Sequence, residues 1–182
     1  VGESFNSLSL NEVNGELVEY NVINEGYEHS AEHKGEMTFY CEIEAKVKKG
    51  LEPDPDFVAD IEGIKGVYFE GDKIEFKVTP YRNAYLKIFC MENDKLGYRL
   101  YPNDIDGGVK VLEAGKKHGI LEYSDLECAK STDKKVEINY LVFVFTKDEC
   151  PYYKDENSWQ EIVSWMAKIP SDRKYIYYVP IE

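Results

Sequence analysis

Residues 37–47 read MTFYCEIEAKV, and this stretch decides the fold. Its odd positions, from Met37 to Val47, are all apolar, whereas most of the even positions are polar or charged. Alternation with a period of two over eleven residues is typical of an antiparallel strand with one buried face and one wet face. Residues 17–23 have the composition of a partner strand, and a polar loop from Asn24 to Gly35 separates the two. We therefore predict a long β-hairpin.

The best boundary in the chain follows this hairpin, at residues 50–56 with the sequence GLEPDPD. Its two prolines lack the N–H group that a sheet needs, so a strand rarely continues through such a stretch. We predict an N-terminal hairpin segment at residues 1–50, which is either the remnant of a truncated upstream domain or a part of the sheets that follow. The second predicted domain spans residues 56–182.

The second domain is predicted to be mainly β. Short apolar or alternating runs are separated by turn residues, a spacing that favours an antiparallel sandwich or barrel over parallel βαβ units. Pro180 places the last strand at an edge. The predicted strands are residues 57–61, 67–69, 74–78, 84–91, 96–101, 109–112, 119–123, 136–146 and 175–181.

One helix is predicted near the C-terminus. Ser158 followed by Glu161 has the spacing of a capping box, and Pro170 ends the run. The apolar side chains between them recur at helical spacing, so they form one stripe, which we expect to pack on the sheets. An aromatic ligand groove is the alternative use of that stripe.

Charge excludes some classes of partner. The chain has a formal net charge of -13, which repels phosphate backbones and anionic lipid headgroups, so we expect no nucleic-acid partner. We see no apolar run long enough for a transmembrane segment. The first residue is Val1, so the missing signal peptide says nothing about export. Cys41, Cys90, Cys128 and Cys150 could form two disulfides, but we predict that Cys41 and Cys90 are buried free thiols.

Five segments carry a resemblance to a known family, and they come in a set order: Gly71-Asp72 with Ile74, Phe76 and Val78; Asn83-Ala84-Tyr85-Leu86; Leu100-Tyr101-Pro102-Asn103; Leu112 to Gly115; and Val142 to Pro151. With these segments, the region from about residue 56 to residue 182 resembles a bacterial family, domain of unknown function 4384. The resemblance implies an immunoglobulin-like sandwich in an exported or envelope-associated protein, periplasmic, anchored to the outer membrane or secreted. It implies no catalytic residues. Residues 16–50 resemble the end of small envelope-lipoprotein domains of the flagellar-assembly type.

A possible metal motif lies in the first loop, where His29, Glu32 and His33 match the pattern H-x-x-E-H of zinc peptidases. That chemistry needs both histidines on one face of a helix, with the glutamate as general base. Here strands and glycines flank the motif, so we interpret it as a chance match and predict no metal and no cofactor. A zinc-dependent hydrolase stays as the alternative function. Asp104 and Asp106 likewise favour a solvated turn over a calcium loop.

The predicted function is that of a non-enzymatic binding or structural module. Its partner is an unidentified protein or envelope component, or the upstream part of its own chain. We place the candidate surface on the loop with Tyr101, Asn103 and Asp104, joined by Tyr85 and Tyr98. Tyrosine suits such a surface because it offers a rigid ring with a polar tip. On this hypothesis, replacing Tyr101 and Asn103 by alanine weakens binding without lowering the melting temperature.

Overall fold

A computed structural model describes residues 15–29, 37–49, 51–92, 96–129, 139–152, 154 and 156–181. The chain divides into two compact units, Val1–Glu52 and Pro53–Glu182, which we call the hairpin unit and the sandwich unit. The division falls in the proline-containing stretch, where residues 51–58 form no strand.

The hairpin unit contains strands β1 (Gly15–His29) and β2 (Met37–Lys49), paired antiparallel. The predicted hairpin is therefore confirmed. The predicted loop from Asn24 was too long, because β1 continues to His29, which pairs with Met37. Pairing satisfies the backbone groups of these polar residues, and it outweighs their loop-like composition.

The described residues of the sandwich unit form two antiparallel sheets, so the prediction of a mainly β fold is confirmed. The five-stranded sheet has the order β10-β8-β5-β6-β9, and the three-stranded sheet has the order β3-β4-β7. The strands are β3 (Ala59–Glu62), β4 (Phe76–Pro80), β5 (Tyr85–Met91), β6 (Leu96–Tyr101), β7 (His118–Ile120), β8 (Asn139–Thr146), β9 (Glu156–Ser158) and β10 (Lys174–Ile181).

The main core lies between these two sheets. Phe76 of β4 meets Phe143 of β8 edge to face, with 5.0 Å between ring centroids. Leu86 and Ile88 of β5 belong to the same buried cluster. Side chains alternate across a strand, so the intervening β5 residues face the other side of the five-stranded sheet. An immunoglobulin-like order of strands stays a prediction.

Helix α1 (Trp159–Lys168) covers that other side. Ser158 caps it through the predicted capping box with Glu161, so the helix prediction is confirmed. Trp165 contacts Phe89 of β5, with 5.7 Å between ring centroids, and Trp159 donates from Nε1 to the carbonyl oxygen of Leu96 at 2.8 Å. No helix in the described ranges is both long enough and apolar enough to cross a bilayer.

Two predicted strands, 67–69 and 109–112, were wrong. Tyr68 is buried, but it sits in an irregular loop where its hydroxyl accepts a hydrogen bond from the N–H of Lys65 at 3.1 Å. Residues 109–112 supply only an isolated bridge between Leu112 and Ala84. Runs this short need a neighbouring strand to define them, and composition alone does not supply one.

Candidate functional site

The loop after β6 is held together by Asn103 and Asp106. The Oδ1 atom of Asn103 accepts from the N–H groups of Ile105 at 2.9 Å and Asp106 at 2.7 Å, which is an Asx turn. Its Nδ2 atom donates to Leu100 O and to Asp106 Oδ2, both at 3.0 Å. The polar groups of Asn103 are thus used to fold the loop.

Asp106 is the buried centre of this network, and our interpretation of it as part of a solvated turn was wrong. It is 8% exposed, and its Oδ1 accepts from the N–H of Tyr123 at 2.9 Å. Burial pushes the pKa of Asp106 upward. Hydrogen bonds from Tyr123, Asn103 and Ser124 outweigh that effect and hold the pKa below its usual value. This carboxylate therefore ties two loops together in its charged form.

Tyr101 does not contribute to an exposed surface, which corrects the predicted binding surface. Its side chain is 2% exposed and lies in the core between the sheets. Its hydroxyl has no hydrogen-bond partner among the described residues. Tyr101 pairs with Ile88 in β5, so the register of β6 turns it inward. Its role is to anchor the start of the loop.

The structure also keeps Tyr85 and Tyr98 apart. Tyr98 pairs with Cys90, whereas Tyr85 lies five residues earlier in β5, about 17 Å away at the rise of a strand. The two also alternate to opposite faces of the five-stranded sheet. Both are half-buried. Of the five predicted contact residues, Asp104 is the one that is exposed in the loop itself.

Two other exposed side chains lie next to the hydrogen bond that links these loops, and we call them the Ile105–Tyr123 patch. Ile105 is 65% exposed and Tyr123 is 76% exposed, and they flank the hydrogen bond between Asp106 and the N–H of Tyr123. Leu121 and Asp125 bracket Tyr123 with positive φ angles of 63° and 48°. Side chains with a Cβ avoid this region, so the turn stores strain, as turns at functional sites often do.

A second unusual group is Lys87, on the helix-facing side of β5. Its side chain is 3% exposed. Among the described residues, its amine lies over the ring of Trp165, 5.7 Å from the centroid, and not against a carboxylate. Burial lowers the pKa of Lys87; Cys150 and Glu149 partly oppose this, and Arg99 adds to it. Sequence reasoning missed this residue, although one lysine inside an apolar strand was a visible signal.

Replacing Lys87 by methionine is expected to raise the free energy of unfolding at pH 7 by about 1 kcal/mol, because a buried charge without an ion pair is removed. The advantage of the variant should shrink as the pH rises. The folded-state pKa of Lys87 lies below 10.5, so the wild type gains stability between that pKa and 10.5, where the unfolded chain binds more protons. Urea unfolding from pH 7 to pH 10 measures this difference in unfolding free energy between the variant and the wild type.

Lys77→Met, at an exposed position of β4, is the matched control. A difference that does not change with pH would contradict the prediction.

The H-x-x-E-H motif, which we interpreted as a chance match, begins on a strand. His29 is the last residue of β1, whereas the zinc motif needs its histidines on one helix. Glu32 and His33 lie outside the described residues. Within the ranges that the structure describes, no three His, Cys, Asp or Glu side chains are grouped so that they could hold a metal ion.

Comparison with known proteins adds no functional assignment. No family model matches the chain, and neither the curated proteins nor the solved structures contain a match. The resemblance to domain of unknown function 4384 therefore stays a prediction. What the fold defines is a mainly β protein with several antiparallel sheets and one helix.

Proposed function

We propose that this chain is a non-enzymatic binding module of an exported or envelope-associated bacterial protein, and that it holds a protein partner through the Ile105–Tyr123 patch. The observation that carries the proposal is the exposure of Tyr123, 76%, on a strained turn whose backbone is fixed by the buried Asp106. Tyrosine is enriched among binding hot spots, and a preorganised tyrosine loses less conformational entropy on binding.

The chemistry of the loop supports binding over catalysis. The polar side-chain atoms of Asn103 and Asp106 form hydrogen bonds with each other and with backbone groups, so these residues hold the loop in shape. Ile105 and Tyr123 are exposed beside charged residues that are also exposed, among them Asp104, Lys110 and Glu122. The exported setting is supported by the resemblance of residues 56–182 alone.

The double variant Ile105→Ser, Tyr123→Ser is expected to weaken partner binding about tenfold or more, since two hot-spot side chains are lost. Its melting temperature should stay within about 2 °C of the wild type, because exposed side chains contribute little to stability. The measurement combines chemical crosslinking to envelope fractions, identification of the adduct, and titration of the identified partner.

The matched control is Val67→Ser, Phe69→Ser, which removes apolar side chains that are 51% and 72% exposed on a different loop. This control should bind as well as the wild type. Equal binding by both double variants would refute the role of the Ile105–Tyr123 patch. Recovery of the protein from the cytoplasmic fraction alone would refute the exported setting.

A further inference from the structure

Two thiols that pack against the main core, those of Cys90 and Cys128, lie toward the same end of it. Cys90 is in β5, and its alternation with Leu86 and Ile88 turns it toward the three-stranded sheet. Cys128 belongs to the segment that runs beside the approach to β4. Its N–H donates to Asp72 O at 2.8 Å, and its carbonyl oxygen accepts from the N–H of Gly71 at 2.9 Å. Both side chains are half-buried, and both pack against the same core.

Strand pairing places both cysteines toward the same end of the core. Phe76 faces Phe143 across the core. Two residues before Phe143 is Leu141, the cross-strand partner of Cys90. Two residues before Phe76 is Ile74, whose N–H donates to Leu126 O at 2.8 Å, and the segment then continues to Cys128. Two residues along each strand from the Phe76–Phe143 contact are therefore Leu141, which pairs with Cys90, and Ile74, which is bonded to the segment that contains Cys128.

The electrostatics agree with this geometry. Burial raises the pKa of the Cys90 thiol to about 12, and the charges of Glu92 and Cys128 add to that effect. The high pKa also leaves little thiolate once the chain has folded, and thiolate is the form that reacts.

We propose that Cys90 and Cys128 form a disulfide that ties β5 to the segment beside the approach to β4 when the protein folds in the presence of a disulfide oxidant. In the reaction, the two thiols lose two protons and two electrons as the S–S bond forms. A low-molecular-weight disulfide accepts them and is reduced to two thiols. Thiolate is scarce after folding, so the bond forms during folding. The pairing rests on the geometry of the core and does not depend on the proposed binding role.

The test uses the full chain with Cys41→Ser and Cys150→Ser, which leaves only this pair. After refolding in a glutathione redox buffer, peptide mapping should show a Cys90–Cys128 link and the loss of both free thiols. The melting temperature should rise by about 5–10 °C over the reduced form, because the bond closes a long loop in the unfolded chain. Reduction should reverse the rise.

The matched control keeps Cys90 and Cys150 and carries Cys41→Ser and Cys128→Ser. Cys150 interacts with Lys87 on the helix-facing side of the five-stranded sheet, so this pair should stay reduced in the same buffer. Free thiols in the test protein after oxidative refolding would overturn the proposal. A link that leaves the melting temperature unchanged or lowers it would overturn it as well.

Discussion

Tyr101→Ala is expected to lower the free energy of unfolding of the sandwich unit by about 3–5 kcal/mol, the cost of removing a buried aromatic ring and leaving a cavity. The ring is 2% exposed and packs in the main core. Both tryptophans of the chain, Trp159 and Trp165, belong to this unit. Tryptophan fluorescence during urea unfolding therefore reports on the sandwich unit without a contribution from the hairpin unit.

Tyr101→Phe is the control that separates the ring from its hydroxyl. The hydroxyl is buried and has no partner among the described residues. Its removal should leave stability unchanged or raise it by about 1 kcal/mol, since an unsatisfied polar group is lost. If Tyr101→Ala costs less than about 1 kcal/mol, the residue is a surface residue, and the sequence-based assignment was right after all.

The elements that could be predicted from the sequence are those with a local cause. The capping box of Ser158 and Glu161 lies within one helical turn, and it marked the start of α1 correctly. The alternation from Met37 to Val47 spans a whole strand, so it identified β2 without any knowledge of the partner. Such local patterns predict the folded structure correctly when the preferences of the segment agree with the rest of the fold.

The candidate site could not be predicted in the same way, because its residues meet through the fold. Asp106 and Tyr123 are far apart in sequence, and their hydrogen bond exists because β7 ends beside the loop after β6. The tyrosines around Tyr101 suggested an exposed binding surface, but its pairing with Ile88 turns its side chain into the core. The period-two pattern indicates that neighbouring side chains face opposite sides of a sheet. Which of those two faces is buried depends on how the sheets pack.

Asp106→Ala should be the most damaging change in the loop itself, with a loss of about 3 kcal/mol in the free energy of unfolding of the sandwich unit. The substitution leaves the N–H of Tyr123 without its acceptor and removes one of the two acceptors of the Asn103 amide, which keeps Leu100 O. It also releases the backbone under the Ile105–Tyr123 patch, so partner binding should fall together with stability. The exposed neighbour Asp104→Ala is the control, and it should change the melting temperature by less than about 2 °C.

Because Asp106 is charged, its contribution to the free energy of unfolding depends on pH, and the variant Asp106→Asn makes that dependence measurable. Both carboxylate oxygens accept hydrogen bonds, whereas asparagine offers one acceptor and turns a donor toward a donor. The folded-state pKa of Asp106 lies below 3.8, so the unfolded chain binds more protons between that pKa and 3.8. The stabilisation is therefore complete above pH 3.8 and is lost as the pH falls through the folded-state pKa.

The difference in unfolding free energy between wild type and Asp106→Asn should be largest at neutral pH and small in acid. Other carboxylates titrate in both proteins and cancel in the difference, so a gap that persists unchanged in strong acid would mean that the charge of Asp106 does not hold the two loops together.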